Sequence, residues 1–182
     1  DKEPKSVDTK PDDQDKKYAW QPLFDGKTLK DWTVPVYGGD GEVGVEDGNI
    51  VINWGEMMTG IKSTRKDLPK CNYEIHLEAL RVEGGDFFCT TTFPYKDSHC
   101  SMVVGGWGGY TVGLSCVDRF DAANNETSQF MSLKEKVWYR VRIRISDNRI
   151  EGWVQELDKN GSVVEEKKEE EDSPVFSDGR IV

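Results

Sequence analysis

The sequence predicts an all-β protein built from antiparallel strands. From residue 43 onward, short runs rich in β-branched and aromatic residues alternate with glycine, asparagine and aspartate. No stretch keeps a helical hydrophobic period, and turn pairs such as Asp47-Gly48 separate the runs. Many short strands in one domain are typical of a sandwich or barrel. We expect a helix only around residues 132–136, and strands near residues 43–46, 49–53, 58–63, 72–82, 86–93, 100–104, 111–116, 137–146 and 149–156.

Two of these strands show which side chains face the core. Along residues 73–79, apolar and charged side chains alternate, so that Glu74, His76 and Glu78 share the outer face. Along residues 137–145, the same alternation predicts an inner apolar row and an outer row of arginines. We expect these arginines to form a solvated face and to pair with acids on a neighbouring strand.

Composition and charge limit the classes of protein. The chain has 182 residues, 36% of them hydrophobic, and a formal net charge of −10. This supports one domain with a core, while the acidic balance argues against a nucleic-acid partner. No apolar run approaches the roughly 18 residues of a membrane span. We expect a disordered leader at 1–17, where eleven residues are charged, and a single domain at 18–182 with an acidic loop or tail near 158–173.

Two further features concern processing and cysteine chemistry. A chain that opens on Asp1 fits the removal of a signal peptide as well as truncation, and we expect a secreted or periplasmic protein. None of the four cysteines has the spacing of a zinc ribbon. Cys89 and Cys100 flank a turn, so a disulfide across the hairpin and free buried thiols are both open.

The opening segment WQPLFDGKTLKDW, at residues 20–32, closely resembles the start of the 3-keto-disaccharide hydrolase family. The segments VEDGNIVI, TGIKST, NYEIHLEALRVEGGDFF, NNETSQF and VWYRVRIRI then follow in the order that is similar to this family. The resemblance covers about residues 18–156 and implies a jelly-roll β-sandwich of the concanavalin A-like lectin/glucanase type, with a glycan site on its concave sheet. The family's C-terminal return strands are not recognisable after Gly161, so we expect an early stop or a diverged ending, with an unpaired sheet edge.

Four places contain candidate functional residues. Glu74, His76 and Glu78 would serve as base, acid or metal ligands if their face lines a groove, although exposed alternation would look the same. Asp86 follows two glycines and would either share a proton with Glu78 or complete a turn. The other two places are the glycine-rich segment at 105–113, which contains two aromatic residues, and the segment at 117–126, which is rich in acids and amides.

In the glycine-rich segment, Trp107 and Tyr110 would stack on sugar faces, or the tryptophan would be a core residue beside a bulge. Oxygens of the segment at 117–126 suit sugar hydroxyls or calcium, although Asx turns explain the same composition. His99 is a further candidate base. The cofactor stays open, with a divalent cation such as calcium as one candidate.

The resemblance implies a carbohydrate-active, glycosidase-like enzyme that hydrolyses 3-keto-glycosides in bacterial, exported glycan degradation. In that chemistry a C3 ketone acidifies the C2 proton, a base removes it, the glycosidic oxygen leaves and water adds. The alternative is a non-catalytic glycan-binding β-sandwich module, with sugars on Trp107, Tyr110 or Trp153. The partner is then an oligosaccharide or modified glycoside. The expected catalytic residues are Glu74, His76, Asp86, Asp118 and Glu126, and the expected substrate-binding residues are Trp107, Tyr110, Arg119, Asn124, Asn125 and His99.

Overall fold

The computed structural model of the chain describes residues 20–164, 174 and 176–178. Within that part every regular element is a strand and every strand pair is antiparallel, which confirms the all-β class. The described residues contain no helix with the length and apolarity to cross a membrane. The expected leader at 1–17 and most of the acidic run, at 165–173, lie outside the described residues, and both stay predictions.

The chain divides into two compact units, of which the first is Asp1–Leu68. In its described part, the second and third strands form a hairpin whose turn residues, Asp47 and Gly48, have φ of 47° and 80°. Two successive positive φ values define the turn type that suits a tight antiparallel hairpin, as the Asp-Gly pair predicts. The first strand pairs with the fourth. The four strands are β1 (Trp32–Thr33), β2 (Val43–Glu46), β3 (Asn49–Ile52) and β4 (Lys62–Ser63).

The opening motif of the family is a closed turn in this first unit. The Asp25 carboxylate accepts hydrogen bonds from the Thr28 hydroxyl at 2.7 Å and from the Thr28 backbone N–H at 2.6 Å. These bonds and the one from the Lys27 N–H lower the pKa of Asp25 to about 2. The Trp32 indole N–H donates to the Leu23 carbonyl at 2.9 Å, which closes the motif on itself. The motif therefore has a structural role.

The second unit, Pro69–Val182, contains two four-stranded sheets in its described part. Sheet I has the strand order β12-β11-β10-β5, and sheet II has the order β6-β7-β8-β9. The strands are β5 (Tyr73–Leu80), β6 (Cys89–Tyr95), β7 (Ser98–Gly106), β8 (Thr111–Ser115), β9 (Gln129–Phe130), β10 (Trp138–Ile145), β11 (Ile150–Glu156) and β12 (Phe176–Asp178).

The inner rows of the two sheets form one hydrophobic core. Ile143 and Ile150 of sheet I belong to the same buried cluster as Met102 and Leu114 of sheet II. The sheets therefore pack face to face, as in a β-sandwich. Alternation places these residues inward and the charged residues of β5 and β10 outward, which confirms the facing predicted for both strands.

One secondary-structure prediction is wrong and three short strands were missed. Residues 132–136 form no helix, because Lys136 has a φ of 59° and its N–H donates to the Arg81 carbonyl instead. Five residues are also too few to offset the cost of starting a helix. The missed strands, β1, β9 and β12, have two or three residues each, which is too short for a periodic signal.

The chain ending differs from expectation, and the cysteines follow one of the two alternatives left open. β12 returns to sheet I, where it pairs with residues 150–152 of β11, so a return strand exists after Gly161 and this part of the edge is paired. All four cysteines are thiols. Register places Cys89 opposite Val104 and Cys100 opposite Phe93, so the Cys89–Cys100 disulfide is wrong and the thiol alternative holds.

Candidate functional site

The outer face of sheet I carries two rows of opposite charge. Arg144 lies opposite Glu74 in register, and Arg140 lies opposite Glu78. Glu74 accepts a hydrogen bond from Arg144 Nε at 2.9 Å and lies 3.4 Å from Arg142 Nε, while Glu78 accepts one from Arg140 Nη2 at 2.8 Å. The expected pairing of arginines with acids is confirmed. We call this surface the charged face; its members are Glu74, His76, Glu78, Arg140, Arg142 and Arg144.

Both carboxylate oxygens of Glu74 contact other side chains of the charged face. His76 Nε2 lies 2.7 Å from Glu74 Oε1. Burial raises the pKa of Glu74, but hydrogen bonds from Arg144 and His76 and the charges of Arg144 and Arg142 outweigh it, so the pKa lies below its ordinary value. A carboxylate that several cations keep ionised is a weak base and a poor proton donor. The charged face therefore suits ion pairing better than proton transfer.

Trp153 lies beneath the arginines of the charged face. The guanidinium carbon of Arg142 is 3.8 Å from the centre of the indole ring, and that of Arg144 is 5.1 Å away. Contacts of this kind favour Arg above an aromatic ring. Trp153 is 3% exposed, so its ring offers no surface on which a sugar could stack.

Asp86 lies in the loop between β5 and β6, and its carboxylate accepts hydrogen bonds from backbone N–H groups. Its Oδ1 accepts hydrogen bonds from the Phe87 N–H at 2.9 Å and the Gly108 N–H at 3.1 Å. Glu78 is bound to Arg140 instead. The two carboxyl groups have separate partners, so they do not form the shared-proton pair considered above, and the turn interpretation of Asp86 holds.

The amide side chain of Asn125 organises the loop after β8. Its Nδ2 donates to the carbonyls of Leu114 at 2.8 Å and Asp121 at 2.7 Å, and its Oδ1 accepts from the Thr127 hydroxyl at 2.6 Å. Asp121 in turn accepts from the Asn124 amide at 2.8 Å. These groups satisfy one another, as Asx-turn chemistry predicts. Across residues 20–164, no group of three or more histidine, cysteine or acidic side chains could hold a metal ion.

A half-open cavity of about 640 Å³ lies at one end of sheet II. Antiparallel pairing brings the start of β7 and the end of β8 together, since Ser101 pairs with Ser115. The two-residue turn after β8 then adds Asp118 and Arg119 to the wall. The lining residues are Tyr95, Ser98, His99, Cys100, Ser115, Cys116, Asp118 and Arg119.

The turn that carries Asp118 and Arg119 is strained. Val117 and Phe120 exchange backbone hydrogen bonds at 3.0 Å and 2.8 Å, which closes a hairpin over the two residues between them. Asp118 has a φ of 49° and Arg119 a φ of 73°. This conformation costs an L-residue about 1–2 kcal/mol, and Asn-Gly is the pair that adopts it at least cost. Strain of this kind is concentrated at functional sites.

Three side chains of the cavity are uncommitted. Within the described part of the chain, the imidazole of His99, the carboxylate of Asp118 and the guanidinium of Arg119 make no hydrogen bond or ion pair. All three are exposed. A histidine, an acid and an arginine around one cavity can move protons and bind an oxyanion or a hydroxyl group. Here Asp118 and Arg119 differ from the acids and arginines of the charged face, which are bound to one another.

The structure separates the other sequence candidates from this cavity. Trp107 and Tyr110 are half-exposed at the opposite end of sheet II, in the connection between β7 and β8. Glu126 is exposed. Five lining residues were missed as site residues, namely Tyr95, Ser98, Cys100, Ser115 and Cys116. Two of them could have been found from the sequence by pairing the predicted strands β7 and β8. Ser98 lies next to His99 at the start of β7, and Cys116 lies at the end of the β8 segment, so the pairing brings both near the same place.

These features define an antiparallel β-sandwich protein with a polar cavity at one end of a sheet. A family model described as the 3-keto-alpha-glucoside-1,2-lyase-like domain matches residues 19–181, and the chain belongs to this family. The match reaches β12, so it includes the ending that the sequence segments left unassigned. Neither a curated protein nor a solved structure shows a significant match. The family supports a role in carbohydrate chemistry.

Proposed function

We propose that the protein is an enzyme that cleaves 3-keto-glycosides and that the cavity of sheet II is its active site. The observation that supports this most directly is the grouping of His99, Asp118 and Arg119, uncommitted to other described residues, around one cavity. Its volume of about 640 Å³ lies within the range of small-molecule sites and is large enough for a disaccharide. The family description supplies the substrate class.

The proposed reaction begins with removal of the proton on C2 of the sugar, which the neighbouring C3 ketone makes acidic. The C–H electron pair forms a C2–C3 double bond and moves the carbonyl pair onto the C3 oxygen, which gives an enolate. The enolate then re-forms the ketone, so that a C1–C2 double bond forms while the bond from C1 to the glycosidic oxygen breaks. The departing oxygen takes a proton from an acid. Water then adds across the double bond, with oxygen to C1 and a proton to C2, so that hydrolysis is complete; without this addition the reaction is a lyase reaction.

The residues of the cavity suit the three tasks that this reaction sets. Imidazole is the side chain that most often transfers protons near neutral pH, and His99 is the proposed base. Asp118 is the proposed proton donor to the leaving oxygen. Arg119 would donate charge-assisted hydrogen bonds to the enolate oxygen that develops at C3. Glu74 is a weaker candidate for base, because its cationic neighbours favour the ionised form.

The test is to incubate the protein with 3-keto-trehalose and to measure the release of glucose. The protein has two histidines, which give a matched pair of variants. His99→Gln should lower kcat by about 10²–10⁴, the usual contribution of a general base, whereas His76→Gln on the charged face should change it little. If His76→Gln abolishes turnover and His99→Gln retains it, the active site lies on the charged face and not in the cavity.

Two variants test the roles of the other residues in the cavity. Arg119→Lys keeps the charge but loses the planar pair of donors, so it should lower kcat more than it raises KM. Asp118→Asn should remove the alkaline limb of the pH profile of kcat, because that limb reports deprotonation of the proton donor. Absence of turnover at high enzyme concentration, with and without added Ca²⁺ or chelator, would favour the non-catalytic glycan-binding alternative.

We further propose two finer points that accompany this function. The sandwich is of the concanavalin A-like jelly-roll type, which the paired four-stranded antiparallel sheets and the family resemblance support. The protein acts outside the cytoplasm, as a secreted or periplasmic protein. Cell fractionation of the source organism, followed by detection of the chain, tests the second point.

A further inference from the structure

Two pairs of exposed aromatic rings lie at the end of sheet II that is away from the cavity. Phe87 and Trp107 have ring centres 6.1 Å apart, and Tyr110 stacks on Phe130 with ring centres 5.1 Å apart and planes 7° from parallel. Phe130 is 82% exposed, and the other three rings are about half exposed. We call Phe87, Trp107, Tyr110 and Phe130 the aromatic ledge. Only two of them, Trp107 and Tyr110, were identified from the sequence.

The loops that carry the ledge are fastened to each other. Asp86 Oδ1 accepts hydrogen bonds from the N–H groups of Phe87 and Gly108, which lie in different loops. Gly109 lies so close to Gly85 that an added Cβ would be 2.4 Å from the Gly85 carbonyl oxygen. Phe87 and Trp107 therefore lie on two loops that are held together by hydrogen bonds and by a close backbone approach.

The backbone at two rings of the ledge is strained. Phe87 has a φ of 41° and Trp107 a φ of 47°, values that bulky L-residues rarely adopt. Such strain persists only where the surroundings enforce it, and it is concentrated at ligand-binding and catalytic positions. The strain indicates that the rings are presented for contact.

The ledge and the cavity are too far apart to hold the same sugar unit. His99 and Gly106 lie seven residues apart on β7, which corresponds to roughly 20 Å along a strand. The ledge begins at Trp107, directly after this strand. A ligand that touches both places must therefore have several sugar units, and a ligand of one or two units touches only one.

We propose that the aromatic ledge is a second carbohydrate-binding site, which holds a neutral glucan chain. Pyranose rings present flat faces of C–H groups, which pack against the negative faces of aromatic rings. The net charge of −10 disfavours a polyanionic chain. The choice of a glucan rests on the function proposed above, through the alpha-glucoside of the family description, whereas the position of the site rests on the rings alone.

The experiment is affinity electrophoresis of the full chain in native gels that contain dextran or pullulan. The wild-type protein should be retarded, and Trp107→Ala and Phe130→Ala should each bind at least about fivefold more weakly. Trp54→Ala is the matched control, because Trp54 is 80% exposed in the first unit and should keep wild-type retardation. His99→Gln should also keep it, because the cavity is separate.

Each outcome of this experiment decides the proposal. Absence of retardation of the wild-type protein by both glucans, or retardation of both ledge variants equal to that of the wild-type protein, overturns it. A wild-type dimer in light scattering that Phe130→Ala converts to a monomer also overturns it, because the ledge is then a contact between copies. If Trp107→Ala fails to fold, Phe130→Ala alone decides. Glucan binding without turnover of 3-keto-trehalose refutes the proposed enzyme and leaves the ledge standing.

Discussion

Replacement of Thr127 by valine tests whether the loop behind the cavity depends on one buried hydroxyl group. Thr127 is 2% exposed. Its hydroxyl donates to Asn125 Oδ1 at 2.6 Å and accepts from the Leu114 N–H at 2.8 Å. Valine has nearly the same shape, so Thr127→Val removes both hydrogen bonds and leaves the Leu114 N–H without this acceptor inside the fold.

The magnitude follows from the two lost bonds and the stranded donor. Each hydrogen bond contributes about 0.5–1 kcal/mol, and a buried polar group without a partner costs about 1–2 kcal/mol more, so the free energy of unfolding should fall by about 2–4 kcal/mol. Thr127→Ser is the control, because it keeps the hydroxyl and loses one methyl group, at a cost of about 1 kcal/mol. In a chain of this size 1 kcal/mol corresponds to about 2–4 °C in Tm.

The assay is urea unfolding at pH 7, followed by tryptophan fluorescence. Thr127→Val should lower the midpoint with an unchanged slope, and it should be less stable than Thr127→Ser by about 1–3 kcal/mol. If the valine variant is as stable as the serine variant, the hydroxyl does not hold the loop and the reasoning is refuted.

Three further outcomes are expected. The lowered pKa of Glu74 contributes stability that is fully present above about pH 4.5, the ordinary value, and is lost as pH falls through the lower folded-state value. Glu74→Gln should therefore be less stable than wild type at pH 7, with a gap in Tm that narrows as pH falls below about 4.5; a constant gap would contradict this. Gly109→Ala should lower Tm far more than Gly108→Ala, because both have positive φ but only at Gly109 would the added Cβ clash with a backbone carbonyl oxygen, that of Gly85; equal losses would count against the close approach. Cys116 is exposed, whereas burial raises the pKa of the Cys89 thiol, so a maleimide should label Cys116 first. Because Cys116 lines the cavity, this labelling should also inhibit turnover. Rapid labelling of the Cys116→Ser variant would disprove this.

The strands were predictable where alternation is long enough to show which face is buried. β5 and β10 each have eight residues, and their inner and outer rows match the sequence pattern. β9 and β12 have two and three residues, and they exist because a neighbouring strand offers hydrogen bonds, which is information from elsewhere in the chain. Local patterning cannot supply that.

Three residues of the candidate site could be named from the sequence, but the sequence did not show that they lie together around one cavity. His99, Asp118 and Arg119 all stand out in the sequence, yet His99 lies nineteen residues before Asp118. They meet because β7 and β8 pair in one particular register, and a shift of one residue would turn their side chains to the other face. The roles of the individual residues stay predictions.

The turn at Asp118 and Arg119 has a consequence for anyone who engineers this protein. Glycine at position 119 would relieve the left-handed backbone and raise stability by about 1 kcal/mol, so a selection for thermal tolerance alone should favour Arg119→Gly. The same change deletes the guanidinium group from the cavity wall. Under the proposed function, heat resistance and turnover therefore compete at this residue, and a stabilised variant should be screened for activity before it is kept.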